Sequence, residues 1–167
     1  DVAVIVCHWP SQLSGSFYRE SGARQTKAVK DSLLRLNPEM KVFVMGDMND
    51  DPTSKSMYEV LRAQPEISEV GEGDMYNPWY NILAKEEKGT LYYRGKWNLF
   101  DQIVLTPNLL NKDGKKKGYA SLKFWKPQVF QQEGRYQGAP LRTKAGGKWL
   151  NGYSDHLPVV LYLVKKK

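Results

Sequence analysis

Four short and almost uninterrupted apolar runs constrain the fold of this chain more than any other feature. They lie at residues 2–7, 42–45, 100–105 and 157–164. Because the runs are rich in β-branched residues and lack regular polar alternation, they are typical of strands that are covered on both faces. Strands of this kind favour an α/β fold.

The segment between the first two runs predicts a helix. Val29, Leu33 and Leu36 follow the i, i+4, i+7 spacing of one helical face. Ser21 is a candidate N-cap, and Pro38 requires the helix to stop. Strand, helix and strand together form an α/β unit, whose connection should be right-handed if the two strands are parallel neighbours.

Three further segments carry weaker patterns. Residues 55–62 predict a second helix after an Asp-Pro-Thr-Ser turn. Residues 119–130 predict a fifth strand, with a bend or an edge position at Pro127. Residues 134–152 contain five glycines and a proline with little periodicity, so a long loop is expected there.

The composition narrows the classes of protein further. The 167 residues suffice for one domain with a core, and no apolar run approaches the roughly 20 residues of a transmembrane segment. The excess of 25 Lys+Arg over 18 Asp+Glu favours anionic partners such as nucleic acid, phospholipid head groups or phosphorylated sugars. The single cysteine, Cys7, excludes an internal disulfide, but a lone cysteine leaves the compartment open.

Polar residues that could take part in catalysis or binding follow the first two runs. His8 ends the first run, and the motif Gly-Asp-x-Asn, with Asp47 and Asn49, follows the second. In an extended segment, i and i+2 side chains lie on one side, where a carboxylate and an amide can orient a water molecule and hold a phosphoryl oxygen. An Asx-rich turn explains Asp47 and Asn49 equally well, and a strand-end histidine by itself is more often structural than catalytic.

The third and fourth runs are flanked by residues of the same kinds. Asp101 lies at the start of the third run, where a buried carboxylate needs a partner such as a histidine of a neighbouring strand. Asp155 and His156 precede the fourth run and should point to opposite sides. One of them can then face a metal ion, and the other a substrate or an orienting carboxylate. Both histidines of the chain thus lie at strand ends beside polar clusters.

In this order, the motifs resemble the endonuclease/exonuclease/phosphatase family, which includes pancreatic-type deoxyribonucleases, apurinic-site endonucleases, inositol polyphosphate phosphatases and bacterial sphingomyelinases. The matching pieces are the strand-end histidine, Gly-Asp-x-Asn, the strand aspartate and Ser-Asp-His. The resemblance implies that residues 1–167 are the C-terminal part of one two-sheet α/β sandwich of the deoxyribonuclease-like type. It also implies a metal-dependent hydrolase of phosphate esters, a phosphodiesterase such as a nuclease or a phosphatase, that uses Mg²⁺ or Mn²⁺.

The resemblance assigns roles around the attacking water and the metal ion. Asp47 would orient or deprotonate the water, and Asn49 would hydrogen-bond the water or the phosphate. Asp155 would lie on or beside the metal ion, which polarises the phosphate and stabilises the leaving oxygen.

The resemblance also assigns roles to the histidines and to one loop. His156, oriented by Asp101, would contact the phosphoryl group, and His8 would bind the phosphate or protonate the leaving group. The division of acid and base roles between the two histidines stays open. Arg94 and Trp97, which precede the Asp101 strand, would line the substrate groove, although packing under the loop explains them equally well.

The family domain further implies an N-terminal half, which this chain lacks, carrying an asparagine and a metal-binding glutamate. A C-terminal part alone would expose an apolar sheet face, so we expect pairing with the missing half or with a second copy, and little or no hydrolysis by this chain alone. Two alternatives stay open: a catalytically silent relative that binds nucleic acid or another phosphorylated ligand, and an unrelated α/β domain whose Asx turns mimic the motifs. The substrate class also stays open, since function follows from the site and not from the fold.

Overall fold

A computed structural model of the chain describes residues 1–110, 121–124 and 138–163. The helices are α1 (Ser16–Leu36) and α2 (Tyr80–Glu86), with 3₁₀ turns at Gln12–Ser14, Ile67–Glu69 and Pro107–Leu109 and a π-helical turn at Ser56–Val60. The strands are β1 (Val2–His8), β2 (Lys41–Asp47), β3 (Ala63–Gln64), β4 (Met75–Tyr76), β5 (Leu91–Tyr93), β6 (Lys96–Asn98), β7 (Asp101–Leu105), β8 (Ser121–Phe124), β9 (Lys144–Ala145), β10 (Lys148–Trp149) and β11 (Val159–Tyr162). None of the helices in these ranges has the length and apolar character needed to cross a membrane.

The central sheet of the described residues has the strand order β1-β2-β7-β4-β3. Strands β1 and β2, which flank the predicted helix, are parallel neighbours. Strand β7 runs antiparallel to both β2 and β4, and β3 is parallel to β4. Strands β1, β2 and β7 contain most of the first three apolar runs. The three strands predicted from these runs are therefore adjacent in the sheet, with β1 at its edge.

Two apolar clusters cover the two faces of this sheet. One cluster joins the sheet to α1 and the π-helical turn, and its buried members are Trp9, Ala23, Val44, Met48, Met57, Leu61, Ala63, Met75 and Val104. The other has Trp79, Leu99, Ile103 and Leu105 as buried members, with Val159 and Leu161 of β11 among the side chains packed against them. Because β11 pairs with β8, a second pair of strands faces the central sheet. This layered arrangement confirms the predicted α/β class.

Helix α1 begins earlier than the sequence predicts. Its N-cap is Gly15, with φ of 80° and no side-chain cap, so the prediction of Ser21 as the N-cap is wrong. The helix ends at Leu36 with Asn37 as the C-cap, directly before Pro38, as predicted. Ser21 instead lies inside the helix, where its hydroxyl accepts a hydrogen bond from Arg24 at 2.9 Å.

The buried face of α1 also differs from the predicted apolar stripe. Val29 and Leu36 are 49% and 84% exposed. The side chains that α1 buries are Arg19, Ala23, Thr26 and Lys30. Polar residues can occupy this face because partners reach them; the Lys30 ammonium, for example, donates to the carbonyl of Gly73 at 2.6 Å.

The weaker patterns are corrected in part. The predicted second helix at 55–62 is only the π-helical turn Ser56–Val60. The predicted loop at 134–152 contains the hairpin β9–β10, and residues 134–137 lie outside the described residues. Of the predicted fifth strand at 119–130, the described residues 121–124 form β8, and the others, with Pro127, lie outside.

The fourth apolar run forms a shorter strand than predicted. Strand β11 starts at Val159, because Pro158 has no amide hydrogen to offer to a neighbouring strand, and residue 164 lies outside the described residues. Helix α2 and the hairpin β5–β6 had no counterpart in the predicted elements.

Edge strand β1 presents apolar side chains to solvent. Val2, Val4 and Val6 are 65%, 52% and 75% exposed. In the register with β2, Val4 lies opposite Phe43 and Val6 opposite Met45, and Phe43 and Met45 pack against the second cluster. The exposed valines therefore extend the apolar sheet face that faces β11.

Candidate active site

Three predicted site residues lie side by side at one end of the central sheet. In the strand register, His8 of β1 lies opposite Asp47 of β2, and Asp47 lies opposite Asp101 of β7. His8 Nε2 is 3.7 Å from Asp47 Oδ2, and the two side chains are 77% and 21% exposed. The ends of three adjacent strands therefore place one imidazole beside two carboxylates.

Gly46, the residue before Asp47, permits this alignment. Its backbone φ of 130° is one that residues with a side chain rarely adopt. A Cβ at this position would also collide with the carbonyl oxygen of Cys7 in β1. The glycine of Gly-Asp-x-Asn thus allows β2 to approach β1 closely where both strands reach the site.

The Asx turn after β2 exists, and it positions the candidate residues. Asp47 Oδ1 accepts a hydrogen bond from the backbone amide of Asn49 at 2.8 Å. Asn49 has φ of 49°, a left-handed conformation in which asparagine is enriched. Its Nδ2 donates to the carbonyl of Trp9 at 2.8 Å. The turn and the functional interpretation are therefore compatible, since the turn holds both side chains beside the end of β1.

His156 joins the group through Asp101. Its Nδ1 lies 2.7 Å from Asp101 Oδ2, and the side chains are 23% and 21% exposed. Burial alone would lower the pKa of His156, but the hydrogen bond and charge of Asp101, with the charges of Asp47 and Asp155, raise the pKa above its ordinary value. Asp101 therefore orients the imidazole and favours its protonated form.

Thr90 holds both partners of this pair, and sequence reasoning missed it. Its side chain is fully buried, and its hydroxyl accepts a hydrogen bond from the backbone amide of Asp101 at 3.3 Å. Its carbonyl accepts a hydrogen bond from the amide of Leu157 at 2.8 Å, the residue after His156. A single threonine outside any motif carries no signal of such a role in the sequence.

The group has the donor atoms that a divalent cation requires. Asp47, Asp101 and His156 each offer one ligand atom, and these atoms lie within 4.8 Å of one another. Carboxylate oxygens suit Mg²⁺ and Mn²⁺, and an imidazole is a common ligand of transition metals. The residues present therefore fit such an ion. Among the described residues, Asp155 lies outside this cluster, and its Oδ2 is 3.6 Å from Arg142.

The two predicted groove residues lie in the hairpin β5–β6. Strand β5 forms one backbone bridge to His156, so the hairpin adjoins the site. Arg94 is exposed at the hairpin turn, with its guanidinium 5.2 Å from the centre of the Tyr93 ring. Trp97 packs edge-on against Tyr92 across the hairpin, with ring centres 5.3 Å apart. These contacts fit the packing interpretation, and the substrate role of both residues stays a prediction.

Comparison with protein families agrees with the order of the motifs. A family model described as the Endonuclease/Exonuclease/phosphatase family matches residues 1–165. The chain belongs to this family. The predicted resemblance is thereby confirmed, and family membership supports a hydrolase of the phosphoesterase type in general terms. No curated protein sequence matches the chain.

A solved structure supports the predicted fold. The crystal structure of beta toxin 275-280 from Staphylococcus aureus is similar, with a TM-score of 0.51 and 24% sequence identity. The similarity covers 95% of this chain and 51% of the toxin chain, so the chain spans about half the length of that structure. At this identity the likeness concerns the fold alone, and it confirms the predicted deoxyribonuclease-like α/β fold.

Proposed function

We propose that the protein is a metal-dependent phosphoesterase that hydrolyses phosphate esters at this end of the central sheet. The strongest support is the row of His8, Asp47 and Asp101 on three adjacent strands, completed by His156 on Asp101. An imidazole held on a carboxylate beside a second carboxylate is a common arrangement for acid–base chemistry at a phosphate. Surface packing does not require these four groups to converge.

Asp47 and Asn49 would prepare the attacking water. The Asp47 carboxylate is 21% exposed on its side chain, so it is accessible to a water molecule whose proton it could accept. The Asn49 Nδ2 is engaged by the carbonyl of Trp9, which fixes the plane of the amide. Its side-chain oxygen is then the atom that can accept a hydrogen bond from the water.

The two histidines would act on the phosphoryl group. With Nδ1 of His156 on Asp101, the other ring nitrogen, Nε2, is the atom that can reach a phosphoryl oxygen. His8, whose side chain is 77% exposed, would bind the phosphate or protonate the leaving group. Either histidine can serve as the acid.

A divalent cation, Mg²⁺ or Mn²⁺, would neutralise phosphate charge and stabilise the leaving oxygen. We assign it to Asp155 and to Asp47, one of the two carboxylates of the Asp47–Asp101–His156 cluster. In this assignment the oxygens of Asp155 and Asp47 act as ligands, and the hydrogen bond of Asp101 keeps the His156 ring in place.

A further N-terminal half of the domain is proposed as the partner that completes the site. The exposed Val2, Val4 and Val6 of β1 continue along the strand to His8, so the uncovered apolar face and His8 lie on one side of the sheet. Covering this face would bury the valines and enclose the site. An isolated chain of 167 residues would pair through the same face with a second copy.

Hydrolysis by the full-length protein tests the proposal, with Mg²⁺ and with chelator. The substrates are plasmid DNA, an abasic oligonucleotide, inositol phosphates, sphingomyelin and a chromogenic phosphodiester. We expect metal-dependent turnover of at least one substrate, which names the substrate class. Asp47→Ala should lower it by about 100-fold or more, because general acid–base groups contribute about 10²- to 10⁴-fold.

The controls separate the site from the rest of the chain. Glu39→Gln alters an exposed carboxylate near the opposite end of β2 and should leave turnover unchanged. The isolated 167-residue chain should show no detectable hydrolysis. If the folded full-length protein turns over none of the substrates while it binds nucleic acid or a phosphorylated ligand, the silent binding relative replaces this proposal.

A further inference from the structure

A second charged contact, between Arg142 and Asp155, lies next to His156. A guanidinium nitrogen of Arg142 is 3.6 Å from Asp155 Oδ2, and the two side chains are 33% and 50% exposed. This separation exceeds the length of a good hydrogen bond, and half-exposed ion pairs of this kind contribute little to stability. The ion pair with Asp155 therefore stabilises the fold too little to explain an arginine at position 142.

The backbone nevertheless holds Arg142 firmly beside the Ser-Asp-His segment. The amide of Tyr153 donates to the carbonyl of Leu141 at 3.0 Å. Leu141 directly precedes Arg142, and Tyr153 lies two residues before Asp155. A Cβ at Gly152 would collide with the carbonyl oxygens of Leu141 and Arg142. Only glycine permits this close approach, so the chain fixes where the arginine side chain starts.

The charge at the site shows what a guanidinium can add. Asp47, Asp101 and Asp155 are carboxylates around or next to His156, and a phosphate ester is also an anion. A divalent cation and a protonated His156 would together cancel these three negative charges, which leaves the charge of the phosphate itself uncompensated. The positive charge of Arg142 would compensate the phosphate, and its planar donors match phosphate oxygens in pairs.

We propose that Arg142 is a phosphate-binding residue of this site. In the free protein its guanidinium rests on Asp155. When an anionic phosphate enters, the guanidinium donates to the phosphoryl oxygens, and the Asp155 carboxylate becomes available to a cation. This assignment rests on the proposed function, because the phosphate ester that Arg142 would bind is the substrate assigned there.

Binding of inorganic phosphate to the full-length protein in the presence of chelator tests the role of Arg142 without turnover. We expect Arg142→Gln to weaken phosphate binding, measured by calorimetry, by about 10- to 100-fold, the range of a charge-assisted hydrogen-bond pair. Arg142→Lys should lie between Arg142→Gln and the wild type, because lysine keeps the charge but loses the paired donors. Arg35→Gln, an exposed arginine in the last turn of α1, should bind phosphate as the wild type does.

Asp155→Asn supplies a second and opposite readout. Without the competing carboxylate, the guanidinium is free, so phosphate should bind several-fold more tightly than to the wild type. Adding Arg142→Gln to Asp155→Asn should abolish that gain. If Arg142→Gln does not fold, as judged by thermal unfolding, Arg142→Lys and Asp155→Asn carry the test.

The results separate this inference from the proposed function. Phosphate affinity that is equal in the wild type and Arg142→Gln, or unchanged in Asp155→Asn, overturns the role of Arg142 even if the protein hydrolyses phosphate esters. Arg142-dependent phosphate binding without turnover of any substrate supports the role of Arg142. That result contradicts only the proposed hydrolysis.

Discussion

Asp101→Asn is expected to lower kcat/KM by about 100-fold or more, and His156→Ala by about 10²- to 10⁴-fold, once a substrate is known. The substituted amide would retain the size of the side chain but lose the charge that favours protonated His156. Asp101 has no predicted contact with substrate of its own; it acts through the 2.7 Å contact with His156 Nδ1. Adding Asp101→Asn to His156→Ala should therefore lower kcat/KM by less than about 10-fold further.

The imidazole itself gives a readout that a structural defect would not give. In the metal-free protein, burial alone would lower the pKa of His156, but the hydrogen bond and charge of Asp101, with the charges of Asp47 and Asp155, raise the pKa above its ordinary value. Asp101→Asn removes the charge that lies closest to the ring, so the pKa of His156 should fall. Titration of the His156 ring by NMR measures this change directly.

Comparing Asp101→Asn, His156→Ala and the double variant also tests a competing role for Asp101. Asp101 also belongs to the cluster that fits a divalent cation. If Asp101 served mainly as a metal ligand, the losses from Asp101→Asn and His156→Ala would multiply. Calorimetry would then show weaker Mg²⁺ binding in Asp101→Asn, and the pKa of His156 would change little. That combination would sink the orienting role.

Much of this site could be predicted because its residues lie within a few positions of apolar runs. His8 ends β1, Asp47 ends β2 and Asp101 begins β7, so predicting the strands also located the side chains. Local chemistry added Gly46 and the Asx turn of Asp47 and Asn49. Each of these signals spans only a few residues, and sequence patterns of that range are the ones that can be read.

Contacts between distant positions could not be predicted in the same way. The Asp101–His156 contact spans 55 positions, and its choice over other carboxylates depends on how β5 and β7 pack around Thr90. Arg142 lies in a glycine-rich segment without periodicity, where no rule indicates that it faces Asp155. The buried face of α1 was mispredicted for a related reason. Its polar side chains are buried only because partners from other segments reach them.

Arg19→Leu is expected to lower the free energy of unfolding by about 3–5 kcal/mol, because it leaves a buried carboxylate without its counter-charge. Arg19 Nε lies 2.9 Å from Asp50 Oδ2, and the two side chains are 7% and 9% exposed. Ser56 also donates to Asp50 Oδ2 at 2.7 Å, but a hydroxyl cannot replace a positive charge. Chemical denaturation of the purified protein measures the loss.

Arg24 on the same helix provides the matched control. It lies 3.9 Å from Glu20 and is 50% exposed, so Arg24→Leu should cost less than about 1 kcal/mol. Adding Asp50→Asn to Arg19→Leu should restore part of the lost stability, because no unpaired charge then stays buried. Equal losses from Arg19→Leu and Arg24→Leu would show that burial of the Arg19–Asp50 pair does not set its cost.

Arg19 also connects the stability of the fold to the geometry of the site. Its guanidinium donates to the carbonyls of Ser11 and Gly15 at 3.2 and 3.1 Å, in the loop that follows His8. Through Asp50 it also holds the loop that contains Asn49. Arg19 therefore ties together the two loops that follow the parallel strands β1 and β2. Arg19→Leu should lower kcat/KM even at temperatures where the variant is fully folded, and a folded variant with wild-type kcat/KM would limit Arg19 to stability.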